Sequence, residues 1–140
     1  MIIIAKRGKM LAVCGIVRKN GRILMCKRSA GTHFPGFWEL PTESLEGDES
    51  FEEALERVFF ERLTVNVRQS FPIGAVDYGS VKSGLNGEDV RLLGYEVALE
   101  KNFIHIYGYD DFRWVKLSNL KHMKVLEPFV TLITRGCRSL

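Results

Sequence analysis

The dipeptide Asn20-Gly21 constrains this chain more than any other feature. It stands inside "MLAVCGIVRKNGRILMCKR", with an apolar run on each side. Asn-Gly supplies two adjacent positive-φ positions, the requirement of a two-residue hairpin turn whose twist matches that of its strands. The chain is therefore expected to nucleate an antiparallel pair ending near Arg28. The next segment, "GTHFPGFWELPTESLEGDE", is rich in aromatic and turn residues and reads as a loop. Ser50 then N-caps a helix, with Glu53 three residues later completing a capping box. That helix is expected to run to about Arg62. Strands are expected at Thr64–Val67, Ile73–Tyr78 and Val90–Leu99, with a loop at "SGLNGED", a short strand at "DFRWVKL", and a last helix opened by Glu127-Pro128 and stopped by Gly136.

This order predicts an α+β chain with a mixed β-sheet between helices, organised as one domain over 1–140. Hydrophobic residues make up 46% and charged residues 26%, a globular balance. The net charge of +3 is too small for a duplex nucleic-acid binder and suits a small polyanionic ligand. The opening "MIIIAKRGK" has too short an apolar run for a membrane span or signal peptide. Cys14, Cys26 and Cys137 have no metal-ligand spacing. They are expected as free thiols in a cytoplasmic protein.

The helix contains an anomaly. At about 100° per residue, Ala54, Leu55, Val58 and Phe59 form one apolar stripe, and Arg62 falls near its middle. A cation there needs a partner: a ligand phosphate or an internal carboxylate such as Glu43 or Glu49. The bland alternative is a side chain that snorkels to water.

The stretch Glu43–Val65, "ESLEGDESFEEALERVFFERLTV", resembles the box of the Nudix superfamily, G-x5-E-x7-R-E-U-x-E-E-x-G-U with U a bulky apolar residue. Within that superfamily it resembles the MutT-like nucleotide pyrophosphohydrolases. Glu49, Arg57, Phe59, Glu61 and Val65 match in register without a gap. "GRILMCKR", "FPGFWELP" and "YDDFRWVKLSNL" resemble the family's segments on either side, so the likeness covers most of the chain. It implies a Nudix fold, an α/β/α sandwich, and Mg²⁺ held by helix glutamates against a pyrophosphate.

Three departures stand against the matches. The family's three metal-binding glutamates fall on Val58, Glu61 and Arg62. Its paired glycines are Thr42 and Glu43, and the box's last glycine is Thr64. Within the resemblance, Glu61 and Arg57 are the catalytic candidates, and Glu49, Glu61 and Asp111 the candidate metal ligands. Arg28 and Arg62 are candidates for phosphate binding, and Phe34 and Trp38 for stacking on a base. For Phe34, Phe37 and Trp38 a place in the core is the competing reading; for Glu53, Arg57 and Glu61, a solvated i,i+4 ladder. Asp110 and Asp111 also read as turn residues. His33, His105 and His122 share no metal or triad spacing, and Ser80 and Ser83 have no visible base. In the last segment Leu126 stands where MutT-like enzymes read the base with Asn or Asp; Asn119 is the nearby amide.

The expectation is a protein that binds a nucleoside polyphosphate or another nucleoside-diphosphate-linked ligand, with pyrophosphohydrolase activity weak or absent. Two alternatives stay open. One is an active Mg²⁺-dependent hydrolase with a site rebuilt from Glu43, Glu49, Glu61 and Asp111. The other is a non-catalytic interaction domain.

Overall fold

The computed structural model describes residues 9–79, 89–101 and 103–137. Strands β1 (Lys9–Lys19) and β2 (Arg22–Arg28) form the expected hairpin, with Asn20 and Gly21 at φ 53° and 75° and Lys19 opposite Arg22. Two short strands follow, β3 (Trp38–Glu39) and β4 (Thr42–Ser44), inside the segment expected as a loop. Each is too short for an alternating pattern to show; pairing with β2 and β1 respectively defines it.

Helix α1 (Phe51–Leu63) has the expected capping box: Glu53 N–H donates to Ser50 Oγ, and Ser50 N–H donates to the Glu53 carboxylate. It ends on Thr64 in the left-handed region at φ 58°, where a β-branched residue is uncommon. The Thr64 N–H bonds to the carbonyls of Phe59 and Phe60, closing the last turn.

The strand expected at Thr64–Val67 is not formed there, because Thr64 caps α1; a strand begins only at Val67 and runs on through the one expected at Ile73–Tyr78 as a single element, β5 (Val67–Tyr78). The apparent gap is a kink, since the pairing with β6 (Asp89–Leu99) shifts register around Pro72–Gly74. Pro72 and Gly74 therefore bend a continuous strand and do not end it. The loop expected at 83–89 lies outside the described residues apart from Asp89, as do Ser80 and Ser83. Strand β7 (Tyr109–Lys116) pairs with β2, and a 3₁₀ helix follows at Leu117–His122. Helix α2 (Glu127–Gly136) closes the fold with Pro128 in its first turn.

The sheet is mixed: β1 runs parallel to β6 and antiparallel to β2 and β4, in the order β3-β2-β1-β6-β5. Alternation along β1 sends Ala12, Cys14 and Ile16 to one core and Val13 and Val17 to the other. The first core is closed by Phe129, Leu132 and Ile133 of α2. The second is closed by Leu55, Val58, Phe59 and Leu63 of α1. These layers form the α/β/α sandwich. Gly15 lets α1 approach β1, because a Cβ there would stand 2.7 Å from the Phe59 ring. All three cysteines are buried free thiols. No helix among the described residues is long and apolar enough to cross a membrane.

Candidate functional site

Five elements bring polar side chains to one place. Arg28 ends β2, Glu39 ends β3, Glu43 is central in β4, Arg62 lies in the last turn of α1, and Tyr109 opens β7. They line a cleft. Its wide part, about 480 Å³, is bounded by Thr32, Glu43, Glu61, Arg62, Tyr107 and Gly108. A narrower recess of about 70 Å³ shares Thr32, Glu43, Arg62 and Gly108 and adds Arg28, Glu39, Thr42 and Tyr109. The two guanidinium groups, Arg28 and Arg62, thus line the same recess.

The recess is a connected polar network. Arg28 Nη1 donates to Glu39 Oε1 at 2.8 Å, and the Tyr109 hydroxyl donates to Glu39 Oε2 at 3.1 Å. Burial pushes the Glu39 carboxyl up; the Arg28 guanidinium, the Tyr109 hydroxyl and Arg62 draw it back down. Burial also pushes the Tyr109 hydroxyl well above its ordinary range, with Glu39 adding to the effect. The neutral hydroxyl is therefore the donor in this pair.

Arg62 leaves the apolar stripe of α1 and turns into the cleft. Its Nη2 and Nε converge on Glu43 Oε2 at 2.7 and 3.0 Å, and its guanidinium lies 5.0 Å from the centre of the Tyr109 ring. Burial opposes the charge, yet Tyr109 and Glu43 keep the guanidinium more basic than usual. Gly108, at φ 84°, passes beside it; a Cβ at that position would be 3.4 Å from Arg62 Nη1.

Arg57 is engaged elsewhere. Its Nε and Nη2 bond to both oxygens of Glu49, at 2.7 and 3.1 Å, and Nη2 also donates to the Ser44 carbonyl. Glu53 does not join the alternative i,i+4 ladder, because its carboxylate caps the helix as the capping box requires. Arg57 instead ties α1 to the segment before it, and Glu61 is a weaker partner at 3.4 Å. Glu49 also accepts from the Glu46 N–H, which leaves neither of its oxygens without a donor.

Other expected site residues are placed elsewhere. Asp111 lies outside the lining of the cleft; its Oδ1 accepts the Phe112 N–H and its Oδ2 faces Arg113 at 3.5 Å. Trp38, expected as a stacking surface, is 6% exposed and packs in the first core, with the Arg113 guanidinium over its ring. The Trp38 backbone forms a parallel bridge with Val125. Phe34 packs edge-on to Phe37 against the same core. Leu126 is buried at the start of α2, and Asn119 is exposed on the 3₁₀ helix. Glu39, Tyr107 and Tyr109 are site residues that the sequence pattern does not reveal. The one available sign for Glu39 was an acid flanked by apolar residues on both sides, in "FWELP".

Among the described residues no three His, Cys, Asp or Glu side chains gather to hold a metal ion. Glu43 faces Arg62, Glu49 faces Arg57, and Asp111 is outside the lining of the cleft. Glu61 remains, more than half exposed.

A mixed sheet between two helices, with a capped helix whose arginine grips the glutamate of the preceding loop, defines the class. The chain belongs to the Nudix family, whose NUDIX domain model matches residues 8–132. Among curated proteins it is similar to the nucleoside triphosphatase NudI of Klebsiella pneumoniae (strain 342), with 30% identity over 133 residues, 89% of this chain and 94% of that protein. Among solved structures it is similar to the MutT protein from Methanosarcina mazei Go1, with TM-score 0.81, 20% identity, and 93% and 94% of the two chains covered. It is also similar to the NUDIX domain of Shewanella oneidensis NrtR complexed with ADP ribose, with TM-score 0.76, 20% identity, and 93% and 87% covered.

Proposed function

We propose that this protein binds a nucleoside polyphosphate or a nucleoside-diphosphate-linked molecule by its phosphates, with guanidinium groups in place of a divalent metal. The observation that carries the reading is that Arg28 and Arg62 line one recess. A guanidinium offers a planar fork of donors suited to phosphate oxygens, and charge-assisted bonds of this kind are the stronger ones. The solvent-facing partner in the recess is Glu43, whose contact with Arg62 a phosphate can replace.

Mg²⁺ does not fit this set of donors. Glu43 and Glu49 are already paired with arginines, and this chain has the apolar Val58 where the family's box has a glutamate. A divalent ion about 4 Å from the Arg62 charge meets a repulsion of several kcal/mol at an effective dielectric near 20. Metal-dependent hydrolysis is therefore weak or absent in this reading. The relatives support the ligand class: NudI is named a nucleoside triphosphatase, and the NrtR domain was solved with ADP ribose.

Calorimetric titration with ATP and with ADP-ribose, in Mg²⁺ and in EDTA, tests the proposal. Binding of at least one ligand is expected to survive EDTA and to weaken about tenfold or more in Arg62→Ala, the loss of roughly one charge-assisted bond. Binding or turnover that requires Mg²⁺ would overturn it in favour of a rebuilt metal site around Glu43 and Glu61.

A further inference from the structure

We infer that Tyr107 is the surface on which the base of a bound nucleotide stacks, an inference that rests on the phosphate-seat reading of Arg28 and Arg62. Tyr107 is 74% exposed, and it lines the wide part of the cleft with Arg62, Glu43 and Glu61. The other large exposed aromatic side chains among the described residues, Phe60, Phe71 and Phe103, do not line it. Trp38 is withdrawn into the core and Phe34 packs against it. Tyr107 is thus the ring that the cleft presents to solvent beside the phosphate seat.

Its backbone is fixed relative to that seat. The Tyr107 N–H donates to the Arg62 carbonyl at 2.7 Å, so ring and guanidinium branch from residues whose backbones are hydrogen-bonded to each other. Two residues earlier, His105 N–H donates to the Leu63 carbonyl, and Thr64 Oγ1 donates to the His105 carbonyl. Gly108, next in the chain, has the positive φ that turns the segment past Arg62 into β7. A segment held this way loses little backbone freedom when a ligand arrives. An aromatic face accepts any base, so this surface contributes affinity for nucleotides over bare phosphates without selecting among bases.

The test compares ATP with inorganic tripolyphosphate, which has no base, in EDTA. Tyr107→Ala is expected to weaken ATP binding about tenfold, the scale of one stacked base, and to leave tripolyphosphate binding unchanged. Tyr107→Phe is expected to retain wild-type affinity for both, and Phe103→Ala, an equally exposed ring outside the cleft, to change neither. Equal ATP affinity in wild type and Tyr107→Ala overturns the inference, as does an equal loss of both ligands. Arg62→Ala separates the two levels of the argument: it is expected to weaken both ligands, and if it weakens neither, the phosphate-seat reading fails, and the inference with it.

Discussion

Arg62 and Glu43 face each other across the cleft, with Nη2 2.7 Å and Nε 3.0 Å from the same carboxylate oxygen. Each stands at a position where the Nudix box has something else. Against the pattern of the box, Arg62 stands at a glutamate position and Glu43 at a glycine position. Taken singly, either change puts an unbalanced charge beside the site. Together they are a reciprocal pair, one cation and one anion joining β4 to the last turn of α1. The cation at position 62 therefore has an internal counterpart, which accounts for its place in the apolar stripe of that helix.

Removing the cation separates a structural ion pair from a snorkelling side chain. The pair is partly shielded, with side-chain exposures of 30% for Arg62 and 26% for Glu43. Its loss should fall between the value of an exposed pair and that of a fully buried one. Arg62→Ala is expected to destabilise the fold by about 1–3 kcal/mol. A double-mutant cycle with Glu43→Gln, read by denaturant melts, should show that the second change adds little to the first. An Arg62→Ala variant that unfolds at the wild-type midpoint contradicts the assignment.

The Arg57–Glu49 contact has a pH signature. Hydrogen bonds from Arg57 hold the Glu49 carboxyl below its ordinary value of 4.5, against a smaller opposing effect of burial. A depressed folded-state pKa means that the unfolded state binds the proton more tightly. Stability from this pair is thus fully present above pH about 4.5 and is lost as pH falls through the lower folded-state value. Glu49→Gln should lower the melting temperature at neutral pH and flatten the acid limb of the stability curve. Parallel acid limbs in wild type and variant would remove Glu49 from the account.

Restoring the box is expected to be costly. Val58 is 0% exposed and packs in the core between α1 and the sheet. In the variant Val58→Glu with Arg62→Glu, a carboxylate enters that core and a second one meets Glu43. Without metal the variant should lose about 3–5 kcal/mol, as uncompensated buried charges do. Mn²⁺ should recover part of this loss and should leave the wild-type melt unchanged. Identical melts of the variant with and without Mn²⁺ would show that the geometry of a metal site is gone as well as its ligands.

Much of this arrangement is legible in the sequence where the physics is local. Asn20-Gly21 announces its turn because only positive φ fits there. Ser50 and Glu53 announce the start of α1 because their bonds span three residues. Arg62 was recognisable as misplaced from helical periodicity, with Glu43 among its candidate partners. The failures are non-local. β3 and β4 exist because β2 and β1 lie beside them, not because two or three residues have a strand preference. Trp38 looks the same in sequence whether it stacks on a base or fills a core; its place in a core shared with Leu126 and Phe129, far along the chain, decides. Glu39 is buried because Arg28 and Tyr109 arrive from other strands to satisfy it. Tyr107 belongs to a segment without periodicity, so its position beside Arg62 emerges only from the hydrogen bond that joins them.

The kink in β5 has a consequence beyond the shape of the sheet. Among the described residues this strand of 12 residues is the outer strand on its side of the sheet, and its residues are largely open to solvent. Such a strand invites another molecule to add to it, and a long flat one would seed fibrils. Pro72 deprives the ribbon of a donor near its middle, and the register shift between Pro72 and Gly74 breaks its regular spacing of amides. A foreign strand could align with one half of β5 and would lose step at the other. The interruption that conceals the strand in the sequence is thus a guard against polymerisation.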